Sequence, residues 1–186
     1  MKFVPMPIPG AYIIDLEPIA DHRGFFARGF CARTFAERGL TPVVGQCNIS
    51  FNYRKGTIRG LHYQVPPAAE AKLLRCTRGA IYEVMLDLRP ESPTYLEHAG
   101  VELSDDNRRL LYIPEMCAAG CQALTDRAEL AYHTSAFYTP ECERGIRYND
   151  SAFAIRWPLA VSELSEKDKS WPDFEPAIPE NIDEYR

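Results

Sequence analysis

The segment Ile58-Arg59-Gly60-Leu61-His62-Tyr63-Gln64 sets one of only four histidines close to an arginine, inside a stretch that reads as β-strand. Histidine takes and gives protons near neutral pH, and a guanidinium is a fixed clamp for phosphate oxygens. Together they suggest an enzyme that removes a proton from a phosphate-bearing substrate. A histidine in a strand is ordinarily a satisfied structural residue. Strict alternation also puts Arg59 and His62 on opposite faces, unless Gly60 bends or bulges the strand. The chemistry therefore depends on what surrounds this heptapeptide.

The elements that must position it are β-rich. At 186 residues the chain is expected to form one domain, with a core over about 10–160 and a helical, then acidic, tail over 161–186. A hydrophobic content of 46% with 25% charged residues argues against disorder, and the 15 prolines sit among short apolar runs. Strands are expected at Ala11–Ile14, Val43–Ser50, Thr57–Gln64, Ala71–Thr77, Ala80–Leu88, Ala99–Leu103, Arg109–Ile113 and Leu130–Phe137, with a short helix from Arg33 to Arg38 stopped at Gly39. Arg78-Gly79 reads as a hairpin turn. In Ala80–Leu88 the side chains of Tyr82, Val84, Leu86 and Leu88 share one face, and Glu83 and Asp87 the other. This pattern predicts an antiparallel sandwich or barrel.

Charge and cysteine usage narrow the function. The net charge of -5 argues against nucleic-acid binding. No apolar run approaches a membrane span and Met1–Pro7 forms no signal-peptide core, so a cytoplasmic protein without a membrane partner is expected. Arg54, Lys55, Arg59, Lys72, Arg75 and Arg78 lie within 25 residues that contain the single acid Glu70, a stretch suited to drawing in a small anion. Cys31, Cys47, Cys76, Cys117, Cys121 and Cys142 are scattered and expected to be reduced. Cys117 and Cys121 have no nearby histidine to complete a zinc site. His22, His62, His98 and His133 form no HxH pair, so no metal is expected.

Several pieces, in order, carry a family likeness. They are Asp21-His22-Arg23-Gly24-Phe25-Phe26, Gln46-Cys47-Asn48-Ile49-Ser50, Arg59-Gly60-Leu61-His62-Tyr63-Gln64, Ala71-Lys72-Leu73 and Ser92-Pro93-Thr94. Ile113-Pro114-Glu115, Tyr138-Thr139-Pro140, Tyr148-Asn149-Asp150, Trp157-Pro158 and Leu164-Ser165-Glu166-Lys167-Asp168 complete the set. From about residue 10 to about 172 the chain resembles the dTDP-4-dehydrorhamnose 3,5-epimerase family. The resemblance implies a cupin-type jelly-roll barrel, usually a homodimer, acting without metal or organic cofactor on a nucleotide-linked 4-keto-6-deoxy-hexose.

It also implies roles. A ketone at sugar C4 acidifies the hydrogens at C3 and C5, so inversion needs a base, an acid and a stabiliser of the enolate oxygen. His62 matches the base, Asp168 its carboxylate partner and Tyr132 the proton donor, while Lys72 could hold charge on the C4 oxygen. Arg23 and Arg59 match pyrophosphate clamps, and Phe26 could stack on the base. Gln46, Asn48, Glu83, Ala119 and Tyr138 fall at further substrate-binding positions, and Arg28 near the nucleotide base. Each has a plain structural reading beside it. Ser165-Glu166-Lys167-Asp168 is also a helix capping box, and Tyr132, Phe25 and Phe26 could be core.

Three positions depart from the family pattern. Met116-Cys117-Ala118-Ala119-Gly120-Cys121 replaces Gly-Phe-Ala-His-Gly-Phe, so Ala119 stands where a histidine is expected at the sugar. Glu83 replaces an aspartate. Arg28 replaces a glutamate suited to the N3–H of thymine, and an arginine only donates. Three readings stay open: a C3 and/or C5 epimerase; a C3-only epimerase or ketoisomerase on another nucleotide sugar, such as a cytosine nucleotide; or a barrel that binds sugar nucleotides without turnover.

Overall fold

The computed structural model describes residues 1–175, so most of the acidic end of the tail, from 176, lies outside the described residues. The chain opens with β1 (Lys2–Pro5) and β2 (Tyr12–Asp15), a hairpin of β3 (Ile19–Asp21) and β4 (Gly24–Phe26), and helix α1 (Ala32–Ala36). There follow β5 (Gln46–Asn52), β6 (Ile58–Gln64), β7 (Lys72–Arg78), β8 (Ala80–Asp87), β9 (His98–Ser104), β10 (Leu110–Ile113), β11 (Cys117–Ala123), β12 (Ala128–Thr134), β13 (Glu143–Gly145) and helix α2 (Glu166–Ser170). Among these residues one sheet runs β1-β2-β10-β7-β12-β5 and a second β13-β6-β11-β8-β9, with β3-β4 a separate ribbon. The pairings are antiparallel.

The two large sheets face each other across a core of Leu74, Leu111, Ile113 and Leu130 from one and Ile81, Met85, Leu103 and Cys117 from the other. The outer faces are covered as well. Phe35 of α1 closes on Ile14, Leu73, Leu110 and Tyr112, while Ile146, Phe153 and Trp157 pack against Leu61, Val84 and Leu86. Strands buried on both faces cannot be read by apolar–polar alternation. In β8 the apolar face of Tyr82, Val84 and Leu86, continued by Leu88 just beyond the strand, belongs to the outer cluster. The face bearing Glu83 and Asp87 points with Ile81 and Met85 into the barrel, and both acids are buried.

Several boundaries differ from the sequence reading. β5 starts at Gln46 rather than Val43, and β12 spans Ala128–Thr134, ending before Phe137. Packing begins ahead of residue 10, with β1 and the buried Ile8. The Arg78-Gly79 turn is not a hairpin between paired strands, because β7 and β8 lie in different sheets. Phe25 and Phe26 are not core; Phe26 is 68% exposed. β11 has no counterpart in the sequence reading because Cys-Ala-Ala-Gly-Cys-Gln-Ala has little strand preference. Pairing with β6 and β8 on its two sides makes it a strand, and all seven residues are buried. No helix of the described residues is long and apolar enough to cross a membrane.

Asp87 locks the turn after β8. Its carboxylate accepts from Arg89 Nε and Nη2, Ser92 Oγ and Thr94 Oγ1 at 2.6–2.8 Å, which accounts for the Ser92-Pro93-Thr94 motif. Burial alone would raise its pKa, but these donors outweigh burial and draw the carboxyl down to about 2. Since the folded value lies below the ordinary one, this stabilisation is complete above about pH 4. It is lost as pH falls through 2. Asp87→Ala strands a half-buried guanidinium and two hydroxyls, and should lower unfolding free energy by about 2–4 kcal/mol in denaturant titrations at neutral pH. The difference between the two proteins should shrink towards pH 2.

Candidate active site

A cavity of about 840 Å³ opens between the sheets, walled by β5, β7 and β12 on one side and β6, β8 and β11 on the other, with α2 at its rim. The break in β6 decides what faces it. Gly60 has φ +96, and a Cβ there would stand 2.6 Å from the Ala119 carbonyl oxygen and 2.8 Å from Gly120 Cα. Only glycine fits this approach. The β6–β11 register slips at the same point: Ala119 pairs with His62, but Cys121 pairs with Arg59. The bulge removes the alternation that would separate Arg59 from His62, and both line the cavity.

His62 Nε2 lies 2.5 Å from Asp168 Oδ1. A carboxylate only accepts, so Nε2 carries the hydrogen and Nδ1 keeps the basic lone pair. Asp168 sits in the first turn of α2, where Ser165 Oγ caps its N–H at 3.0 Å. The capping reading is thus half correct. The carboxylate does not close a capping box; it turns to His62 and to the Gly60 N–H. Burial pushes its pKa up, but hydrogen bonding and charge from His62, with help from Ser165 and Gly60, bring it below the usual carboxylate range.

Tyr132, on the opposite sheet, lines the cavity too. Burial holds its phenol above the ordinary value, with the nearby Glu70 charge adding to the effect. Lys72 is buried; its Nζ donates to the His62 carbonyl at 2.8 Å and pairs with Glu70 at 3.3 Å. Arg59 is aimed by Asn52 Oδ1 at 2.7 Å and the Phe51 carbonyl at 3.0 Å. Gln46 accepts from the Tyr138 N–H. The Tyr138 hydroxyl and Lys167 both donate to Glu143, at 2.7 and 2.5 Å. Asn48, Glu83 and Ala119 complete the predicted residues at this cavity.

Three predicted residues are elsewhere. Arg23 is tied to Asp21 in the β3–β4 turn, Phe26 projects from β4, and Arg28 is exposed just beyond it. None lines the cavity of its own chain. His133, the neighbour of Tyr132, points to the other face of the sheet against Phe30, so it does not replace the imidazole missing at Ala119. Glu70, Glu143 and Trp171 were not expected. Glu70 and Glu143 carry no local signal, because their partners are fixed by tertiary structure. Trp171 follows Asp168 by three residues; its ring lies 6.4 Å from that of His62 and against Gly145, where a Cβ would come within 2.1 Å of the indole. All six cysteines are free, and among the described residues no group of His, Cys, Asp or Glu is arranged as a metal site.

Comparison with known proteins places this geometry. The model of the dTDP-4-dehydrorhamnose 3,5-epimerase family matches residues 5–176. The chain belongs to this family. It is 40% identical over 175 residues to the dTDP-4-dehydrorhamnose 3,5-epimerase of Shigella flexneri, covering 94% of this chain and 96% of the relative. The crystal structure of the dTDP-4-dehydrorhamnose 3,5-epimerase from Elizabethkingia anophelis NUHP1 superposes with a TM-score of 0.91 at 37% identity, covering 94% and 96% of the two chains. A dTDP-4-dehydrorhamnose 3-epimerase from Streptomyces niveus is 38% identical over 170 residues, covering 91% and 82%. The two-sheet barrel of this epimerase-family chain is a cupin-type jelly roll.

Trp171 wedges α2, which carries Asp168, against the strands that carry His62 and Gly145. Trp171→Ala should cost about 2–4 kcal/mol of stability in thermal or denaturant unfolding. It should also release the His62 ring, read as line broadening of its imidazole NMR signals, while Trp171→Phe retains most of both.

Proposed function

We propose that this chain is an epimerase acting at C3 and/or C5 of a nucleotide-linked 4-keto-6-deoxy-hexose, with dTDP-4-keto-6-deoxyglucose as substrate, in deoxysugar biosynthesis. The observation that carries the proposal is the His62–Asp168 pair on one wall of the cavity with Tyr132 on the other, in a member of this family. His62 Nδ1 takes the proton from the carbon next to the ketone, and the C–H electron pair moves onto the C4 oxygen as an enolate. Asp168 stabilises the resulting imidazolium, as in Ser-His-Asp triads. The Lys72 ammonium, which keeps a third N–H beyond its two protein partners, steadies the oxygen. Tyr132, held protonated, gives its O–H proton to the opposite face of the carbon; the inverted ketone re-forms, and solvent restores both residues. A barrel that only binds has no use for this acid–base set.

A second reading, inversion at C3 alone, is favoured by Ala119. It stands beside His62 in the register and leaves the cavity without the imidazole expected there.

His62→Asn should leave folding intact and cut turnover by about 10²–10⁴-fold or more, and Asp168→Asn should be milder but clearly harmful. Tyr132→Phe should still exchange a carbon-bound hydrogen with D2O while giving little inverted product. NMR of the products in D2O checks all three. Wild-type exchange in His62→Asn would overturn the assignment of the base, and label at C3 without C5 would select the second reading.

The substrate-binding roles of Arg23 and Phe26 fit a homodimer in which the β3–β4 hairpin reaches the partner's cavity, since its apolar side chains Ile19, Phe25 and Phe26 are exposed in one chain. Arg28 would arrive on the same arm, so a panel of dTDP and dCDP sugars tests its effect on the base. Mixing the inactive variants His62→Asn and Arg23→Ala/Phe26→Ala, after co-refolding, should recover activity. Each mixed dimer then holds one intact site. No recovery would place the hairpin's action within its own chain.

A further inference from the structure

Glu83 differs from the other acids of the cavity. It lines the wall, is 2% exposed, and its Oε2 has no hydrogen-bond partner among the described residues. The other acids there are engaged: Asp168 with His62, Glu70 with Lys72, and Glu143 with Tyr138 and Lys167. Among the described residues no basic group stands within 4 Å of the Glu83 carboxyl, so Lys72 is the partner of Glu70 and not of Glu83. A buried, unpaired carboxyl is neutral, and a neutral carboxyl has one O–H to donate. Neutral carboxylic acids kept in apolar surroundings serve as oxyanion donors elsewhere, as in ketosteroid isomerase.

We infer that Glu83 is a further catalytic residue that donates its carboxylic O–H to the substrate's C4 oxygen, sharing the enolate charge with Lys72. This rests on the 4-keto-sugar reading given above. The groups facing Glu83 are Lys72 on β7, Tyr132 on β12 and Cys121 opposite it on β11, and Arg59 on β6 acts on Cys121 and Tyr132. Burial, opposed only in part by Lys72, lifts the Glu83 pKa to about 8. The Cys121 thiol and the Tyr132 phenol are both raised above their own higher ordinary values, so each titrates well above Glu83. As pH rises through 8 the donor becomes a carboxylate that repels the enolate, and catalysis falls.

The test is the pH dependence of kcat/KM for the wild type, Glu83→Gln and Glu83→Leu, with dTDP affinity measured on each. The wild type should lose activity above about pH 8, by about tenfold per unit, as one required proton leaves. Glutamine, a permanently neutral donor, should abolish that limb, whereas leucine should reduce kcat by about 10²–10³-fold while still binding dTDP. A wild type with no limb near 8, a limb unchanged in Glu83→Gln, or full kcat in Glu83→Leu would overturn the inference. Selective 13C labelling of glutamate, with the Glu83 carboxyl signal assigned by loss in Glu83→Gln, adds a readout independent of turnover. Titration near 8 supports the inference, and titration below about 6 overturns it. A wild type that turns over no 4-keto sugar would fail the proposed function, and the carboxyl titration would still decide the ionisation on which the role of Glu83 depends.

Discussion

A carboxylate buried in a barrel wall has to be partnered, and much of this cavity follows from how Asp168 meets that requirement. Its two acceptor contacts, His62 Nε2 and the Gly60 N–H, both lie on β6, more than 100 residues away in the chain. The first fixes the imidazole tautomer and leaves Nδ1 as the basic nitrogen. The second reaches the backbone where the β6 register slips, at the one glycine whose close approach to β11 lets Arg59 and His62 share a wall. Helix α2 spans only Glu166–Ser170, too short to hold itself in water. The Ser165 cap, the Asp168 contacts and the Trp171 wedge are what dock it.

The same enclosure sets two carboxyls in opposite directions. Asp168 and Glu83 are both buried, so desolvation pushes each upward. Asp168 has an imidazole, a hydroxyl and a backbone amide to reverse that push, and it stays charged. Glu83 has only the more distant Lys72 charge, and it rises. Asp168 stays charged beside His62 while Glu83, on the same sheet as His62, is held protonated, so one cavity separates the pKa values of two carboxyls, which is the pattern expected where one site must both stabilise a cation and meet a developing anion.

How much of this the chain discloses depends on whether a residue's partner is local. His62 and Arg59 stand out because one heptapeptide carries both, and Gly60 could be named as the condition for their meeting because alternation alone forbids it. Tyr132, Lys72, Gln46 and Asn48 reach the cavity from strands whose existence, though not every boundary, follows from short apolar runs. β11 escapes because its small residues have no strand signature, and its place is dictated by β6 and β8 on either side. Trp171 and Glu143 escape because only tertiary packing brings them to His62 and Tyr138. The stretch Asp21–Phe26 was readable as a piece of the family likeness but not as the β3–β4 hairpin, and nothing in a sequence says that its aromatic residues stay exposed.

The two acids of β8 show why alternation is a poor guide inside a closed barrel. Read by period alone, Glu83 and Asp87 form the polar face of a half-exposed strand. Both in fact face inward, two repeats of the pleat apart on the same side, and burial raises the cost of charge on each. What separates them is the supply of donors. Asp87 lies at the strand end, where the turn through Ser92 and Thr94 and the Arg89 guanidinium can fold back on it, so it is a structural anion. Glu83 lies mid-strand between β9 and β11, whose backbone groups facing β8 are committed to the sheet, away from the turn that serves Asp87. A mid-strand acid facing a barrel interior is therefore either a defect in the core or a group kept for something that enters the cavity, and the 840 Å³ space in front of Glu83 argues for the latter.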